Sequence, residues 1–298
     1  LLNKNQFERL QVVLVSPRNP LNIGAAARAM ANFGVTELRV VTPFEGAWRE
    51  AKSAVEAEGI LEAAREFASL AEALGDATLV LGTGTSTYRR PDQPHYFLPA
   101  AGQVVAEEFA RAGRVALVFG SEKHGLAREE LSLCHAIVEI PTDPGQPSMN
   151  LGQAVAVCLY ALSVGAYDHP SGAKAPNQQA TQMPGMNPRP TARKAPGAKA
   201  PNSVEHSYGP AEAVPFHNAT PEQKPTVEDL ERLTERILEV AQLAEYSPAK
   251  MEEANRSDLR LLLRRWQLTP VDVRRAMGLF RRIEWRLRKK TGEKHGEV

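Results

Sequence analysis

The sequence predicts an α/β fold built on a parallel sheet, followed by a Pro/Ala-rich linker and a small all-α module. Three observations carry this. Through residue 166, short continuous runs of β-branched and aliphatic residues alternate with helical segments, the pattern of strands covered on both faces. Residues 168–225 then hold eleven of the 22 prolines. From 226 onward, apolar residues recur at helical spacing with no strand-like run. The expected divisions are therefore 1–167, 168–225 and 226–298. With 298 residues, 43% hydrophobic and 24% charged, the chain can bury a proper core, and collagen-like, wholly disordered and coiled-coil readings are excluded.

Strands are expected at Val12–Val15, Leu38–Val41, Thr78–Leu81, Val115–Phe119 and Ile137–Ile140. Helices are expected at roughly 22–33, 47–58, 69–75, 100–112, 127–133 and 150–166. After the first strand comes SPRNPLNIGAAARAMANFG, residues 16–34. Pro20 and Asn22 suit a helix entrance, and Gly24 to Ala27 allow close backbone approach. Arg28 is placed in the first turns, near the C-terminal edge of the strand, where open α/β sheets bind ligands. A cation there opposes the helix dipole, so either anion recognition or a solvated helix face accounts for it.

The strand at 78–81 runs into LGTGTSTYRR, where Gly82 and Gly84 permit a sharp turn and Thr83, Thr85 and Ser86 offer hydroxyls. His95, Tyr96, Arg89 and Arg90 follow as unranked candidates for RNA contact. The strand at 115–119 leads into GSEKHGL, with Gly120 and Gly125 around Ser121, Glu122, Lys123 and His124. This loop lacks the Lys-Ser/Thr ending of a phosphate-binding loop, and no G-x-G-x-x-G exists, so an NTPase and a dinucleotide enzyme are disfavoured. The last strand enters a Pro/Gly loop and a helix that opens at Asn150. Ser148 and Asn150 can cap that helix or present its free N–H groups to a ligand. Ala154 to Val157 predict a helix buried nearly all round.

The prolines of 168–225 accompany too little apolar surface to offset ordering entropy, so a disordered or extended linker is expected. In the last module, Leu230, Leu233, Ile237, Leu238 and Ala241 form one stripe, and further helices are expected near 255–266 and 270–290. The formal net charge is only +1. Between Arg256 and Lys294, however, thirteen Lys and Arg face four Asp and Glu, an excess of nine. Such clustering suits a polyanion. Trp266 and Trp285 interleave with these arginines and are expected to anchor the core rather than stack on bases. The two cysteines, Cys134 and Cys158, lie in apolar segments and exclude a disulfide scaffold. No apolar run reaches membrane-spanning length, and LLNKNQFERL has no apolar signal core, so a cytoplasmic protein is expected.

Three separated motifs stand in a telling order: NIGAAARAM, then LVFGSEKHGL, then IP followed by SMNLGQAVAV. Across residues 11–165 they resemble the SPOUT-class RNA 2′-O-methyltransferases. VEDLERLTERILE and LRLLLRRWQLTPVDVRRAMGLFRRIEWRLRK resemble the C-terminal helices of the TrmJ type within that class, the bacterial tRNA (cytidine/uridine-32) 2′-O-methyltransferases. The 58-residue linker is longer than is usual there. The resemblance implies a sheet threaded into a trefoil knot, a homodimer, S-adenosyl-L-methionine as cofactor, tRNA as substrate, and no metal or membrane. It places the cofactor at Thr83, Gly84, Thr85, Gly120, Ile140, Pro147, Ser148, Met149 and Leu151. Arg28 matches the catalytic arginine, with Ser148 and Asn150 orienting the ribose hydroxyl and Asn22 and Glu122 at the other motif positions. Methylation of ribosomal RNA and a non-catalytic RNA-binding protein on the same scaffold are the alternatives.

Overall fold

The computed structural model describes residues 6, 8–85, 93–165, 223–246 and 251–294. Of the expected linker only 223–225 fall among them.

Seven parallel strands form one sheet. They are β1 (Leu10–Val15), β2 (Glu37–Val41), β3 (Arg65–Phe67), β4 (Leu79–Thr83), β5 (His95–Phe97), β6 (Val115–Phe119) and β7 (Ala136–Glu139). Their spatial order is β3-β2-β1-β6-β4-β7-β5. Because every pairing is parallel, the C-terminal ends of all strands share one edge. The five expected strands exist within a residue or two of their anticipated bounds. β3 and β5 are additional: each is three residues long, sits at an outer edge and lacks a buried apolar run.

Helices α1 (Pro20–Phe33), α2 (Glu58–Ala63), α3 (Leu70–Ala73), α4 (Ala101–Ala110), α5 (Arg128–Ser132) and α6 (Leu151–Gly165) cover the sheet. Strand side chains alternate between its faces. Val12 and Leu14 join a cluster with Ala26 and Met30 of α1, Val105 and Phe109 of α4, and Val155 and Leu159 of α6. Val13 and Val15 join Leu70, Leu74, Cys134 and Val227 on the other side. The helix expected at 47–58 does not form. Only a 3-10 turn at Trp48–Glu50 appears there. Trp48 is buried with its indole N–H donating to Glu66, and the Ser53 hydroxyl donates to the Leu21 carbonyl, so the segment follows α1 instead of coiling on itself.

α6 is also less enclosed than expected. Leu151, Val155, Cys158, Leu159 and Leu162 are buried, but Ala156 and Val157 are half-buried and Tyr160 is exposed. Burial pushes both thiols, Cys134 and Cys158, up to about 12, which leaves them protonated and inert.

Three more helices complete the described chain: α7 (Val227–Leu243), α8 (Glu252–Arg265) and α9 (Pro270–Lys294). They share a small core of Leu230, Leu233, Leu263 and Val273. Thr226 and Asp229 close a reciprocal cap at the start of α7. That start is stitched to the sheet: Val227 N–H donates to Ala77 O at 2.9 Å and Glu228 N–H to Gly75 O at 3.0 Å. Lys224 pairs with the buried Glu108 at 2.7 Å.

The basic surface is smaller than its sequence suggests. Arg256 pairs with Glu235, Arg260 and Arg264 with Glu231, and Arg288 with Glu284. Arg265, Arg275, Arg281, Arg282 and Arg286 remain exposed. Trp266 and Trp285 are 58% and 62% exposed, so neither anchors the core. Among the described residues, no helix is long and apolar enough to cross a membrane.

Candidate active site

The common strand edge gathers the loops that follow β1, β2, β4, β6 and β7. The loop after β6 is curled on itself. Gly125 N–H donates to Ser121 O at 2.8 Å, and Gly125 takes φ +64°. A Cβ on Gly120 would stand 2.1 Å from the Gly125 carbonyl carbon, so only glycine fits this close approach.

The curl presents Glu122 to the loop after β1. One carboxylate oxygen accepts the Arg18 N–H at 2.9 Å. The other accepts the Asn22 amide at 2.8 Å and the Asn19 N–H at 3.2 Å. Burial alone would raise the pKa of Glu122. The Asn22 amide, and then the N–H groups of Arg18, Glu122 itself and Asn19, outweigh it and hold the carboxyl below its ordinary value. Glu122 is thus an ionised acceptor that orders a loop, unsuited to taking a proton.

Asn22 continues the chain of bonds. Its side-chain oxygen accepts from the Asn150 amide at 2.8 Å, while the Asn150 oxygen caps α6 by accepting Gly152 N–H at 3.0 Å. Glu122, Asn22 and Asn150 therefore tie the loop after β6, the first turn of α1 and the entrance of α6 into one unit. Asn22 was expected as a helix-entry residue. Asn19 fills that role, accepting Leu21 N–H at 2.9 Å, with Pro20 in the first turn.

Beside this unit lies a cavity of about 670 Å³. Thr83, Gly84 and Thr85 line it from β4, Gly120 and Glu122 from β6, and Ile140, Pro147, Ser148, Met149 and Leu151 from the segment after β7. All nine residues expected to hold the cofactor share this one space. Gly84 N–H is taken by Val138 O at 3.1 Å and the Thr83 hydroxyl by Val118 O at 3.0 Å, which fixes the loop against its neighbours.

Arg28 stands apart. It is exposed, does not line the cavity, and its side chain makes no hydrogen bond or ion pair with another described residue. Because α1 begins at Pro20, Arg28 is its ninth residue, in the third turn and roughly 12 Å along the axis. The expected position in the first turns is corrected, and the dipole argument with it. Asn22 and Asn150 likewise flank the cavity without lining it.

Residues 9–160 match the model of the SpoU rRNA Methylase family. The chain belongs to this family. Over 157 residues it is 42% identical to the tRNA (cytidine/uridine/adenosine-2′-O-)-methyltransferase TrmJ of Pseudomonas aeruginosa, a match covering 52% of this chain and 61% of that protein. It is 38% identical over 155 residues to the tRNA (cytidine-2′-O-)-methyltransferase TrmJ of Methanocaldococcus jannaschii, covering 51% and 66% respectively. The matched region thus spans about two thirds or less of these relatives. The crystal structure of TrmJ from Z. mobilis ZM4 shares the fold, with TM-score 0.67 at 24% identity over 92% of this chain and 98% of that one.

This SpoU-family site also contains a carboxylate that sequence reasoning missed. Glu139 lines the cavity at the end of β7. It accepts the Thr85 hydroxyl at 3.1 Å, and His95 Nε2 lies 2.7 Å from its other oxygen. His95 was a candidate for RNA contact, but its ring is engaged here. The single signal in the sequence was a charged residue interrupting an apolar strand. Arg89 and Arg90 lie outside the described residues.

Proposed function

We propose that the chain is an S-adenosyl-L-methionine-dependent tRNA 2′-O-ribose methyltransferase acting at nucleotide 32, in the cytoplasm and as a homodimer. One observation carries the reading: nine residues from three separated segments, 83–85, 120 and 140–151, line one cavity, and Asn22 of the first motif is hydrogen-bonded to the other two motifs at its rim. The cavity fits the cofactor. Its volume lies within the ~300–1,000 Å³ span of small-molecule sites. Ile140, Met149 and Leu151 give it apolar walls. In this reading the segments after β6 and β7 form the trefoil knot.

The bound cofactor would supply an electrophilic methyl group on a sulfonium, which needs no metal to leave. The chain must hold the ribose 2′-oxygen in line and manage its proton. Ser148, exposed on the cavity wall, and Asn150, fixed by Asn22 and its own helix, orient the hydroxyl. The Arg28 guanidinium grips a backbone phosphate and stabilises charge developing on the oxygen. Its distance from the cavity lining of its own chain suits delivery to the cavity of a second copy. The open faces of α1 and α6, with Tyr160 and Leu21 exposed, suit that pairing. In the three-part division 1–167, 168–225 and 226–298, the first part is catalytic and the last grips tRNA.

Incubation with methyl-labelled cofactor and unmodified tRNA, followed by mapping of the ribose-methylated nucleotide, tests this. Label at nucleotide 32 is expected. Label only on ribosomal RNA would change the substrate, and failure to bind the cofactor would refute the reading. Arg28→Ala is expected to abolish methylation while calorimetric cofactor affinity stays near wild type.

A further inference from the structure

Two loops next to the cavity carry features that the site above does not use. β1 and β2 are each followed by a non-glycine residue held in the left-handed region, Ser16 at φ 48° and Thr42 at φ 42°. Such backbone is strained and persists only where surroundings enforce it. Here the surroundings do. Ser16 N–H donates to Val41 O at 2.8 Å, Thr42 N–H to Phe67 O at 3.1 Å, and Phe44 N–H to Pro17 O at 3.1 Å. The Ser16 and Thr42 hydroxyls lie 3.0 Å apart.

This locked double turn presents two side chains to solvent. Phe44 is 69% exposed, far above what a half-buried packing residue shows. The Arg18 guanidinium lies 4.7 Å from the Phe44 ring centroid. The backbone N–H of the same Arg18 is bonded to Glu122, the carboxylate that anchors Asn22 and through it Asn150. A planar cation over an exposed ring is therefore held in register with the residues assigned to the ribose.

We propose that Arg18 and Phe44 form a stacking platform for an unpaired base of the RNA substrate, next to the nucleotide whose ribose is methylated. Single-stranded loops are recognised by splaying bases onto aromatic rings and arginine planes. A loop nucleotide whose ribose enters the cavity must leave its own stack, and its neighbour then needs a replacement surface. Arginine adds attraction to the phosphates on either side. The platform rests on the tRNA-methyltransferase reading, and it supplies positioning without touching the reacting atoms.

Phe44→Ala, Phe44→Trp and Arg18→Ala should be compared with wild type for cofactor affinity by calorimetry and for affinity to an unmodified tRNA transcript. An anticodon stem-loop with 2-aminopurine beside the target nucleotide reports stacking directly. Both alanine variants are expected to bind cofactor normally and tRNA about tenfold more weakly, the scale of losing one base stack. Phe44→Trp should restore both affinity and 2-aminopurine quenching. Wild-type tRNA affinity and quenching in Phe44→Ala and Arg18→Ala would overturn the platform while leaving the methyltransferase reading intact. A wild-type protein that binds cofactor but no tRNA would overturn both.

Discussion

Asn22 shows how much one amide can hold. Its nitrogen bonds the carboxylate of Glu122 and its oxygen receives the amide of Asn150, so three segments distant in sequence share one side chain. Aspartate in its place could not donate to Glu122, and alanine would leave both neighbours without this partner. Gly120 matters through what it lacks. The atoms nearest its would-be Cβ are all backbone, at 2.1 to 2.4 Å, and cannot swing aside. Overpacking of this kind costs about 1–3 kcal/mol. Gly120→Ala is therefore expected to lower the melting temperature and to weaken cofactor binding at least about tenfold (~1.4 kcal/mol), measured by calorimetry. At this scale the sequence was legible for residue identity and silent on partners. The motifs named Glu122, Asn22 and Asn150 separately, but no spacing reveals that they touch. Glu139 went unnoticed because a lone carboxylate at a strand end has no pattern.

Strands were legible where burial was complete. β1 and β6 are buried throughout and read as apolar runs broken only by Gln11, whereas β3 and β5 pair along one side only and carry Arg, Glu or His. The absent helix at 47–58 was lost to tertiary contacts of Trp48 and Ser53, which no local propensity encodes. The joint between β4 and β7 also has a chemical signature. His135 is half-buried, and its Nδ1 accepts Val80 N–H at 3.0 Å. Burial first, and then the cations of Arg264 and Lys224, push its pKa well below the ordinary 6.5. The folded ring stays neutral while the unfolded chain takes up a proton below 6.5. Its contribution to stability is therefore complete above that pH and declines as pH falls toward the depressed folded value. His135→Asn, whose amide oxygen can accept the same N–H, is expected to flatten this decline. Urea midpoints measured between about pH 7 and 5 should fall for wild type more than for the variant.

Across the whole molecule, charge is distributed by sign. Acidic residues of α7, Glu231 and Glu235, neutralise the inner arginines of α8, and Glu284 engages Arg288. The exposed remainder on α9 includes Arg281, Arg282 and Arg286 beside the open ring of Trp285. Replacing these three arginines by alanine should weaken tRNA binding and make log affinity less steep against log salt, by roughly 0.7–0.9 for each phosphate no longer neutralised. An unchanged slope would assign the grip elsewhere. A count of basic residues could suggest a polyanion surface, but only the fold shows which guanidiniums are spent on carboxylates.

The stitching of α7 to the sheet has a consequence for how the protein can be divided. Among the described residues, the short helices α3 and α5 shield the side of the sheet that carries Val13 and Val80, and Val227 packs into the same cluster. Cutting at 226 would leave the carbonyls of Gly75 and Ala77 bare and a greasy notch open immediately upstream of β4. The C-terminal helices are for this reason no detachable cassette. Their first residues serve as the last tile of the neighbouring floor.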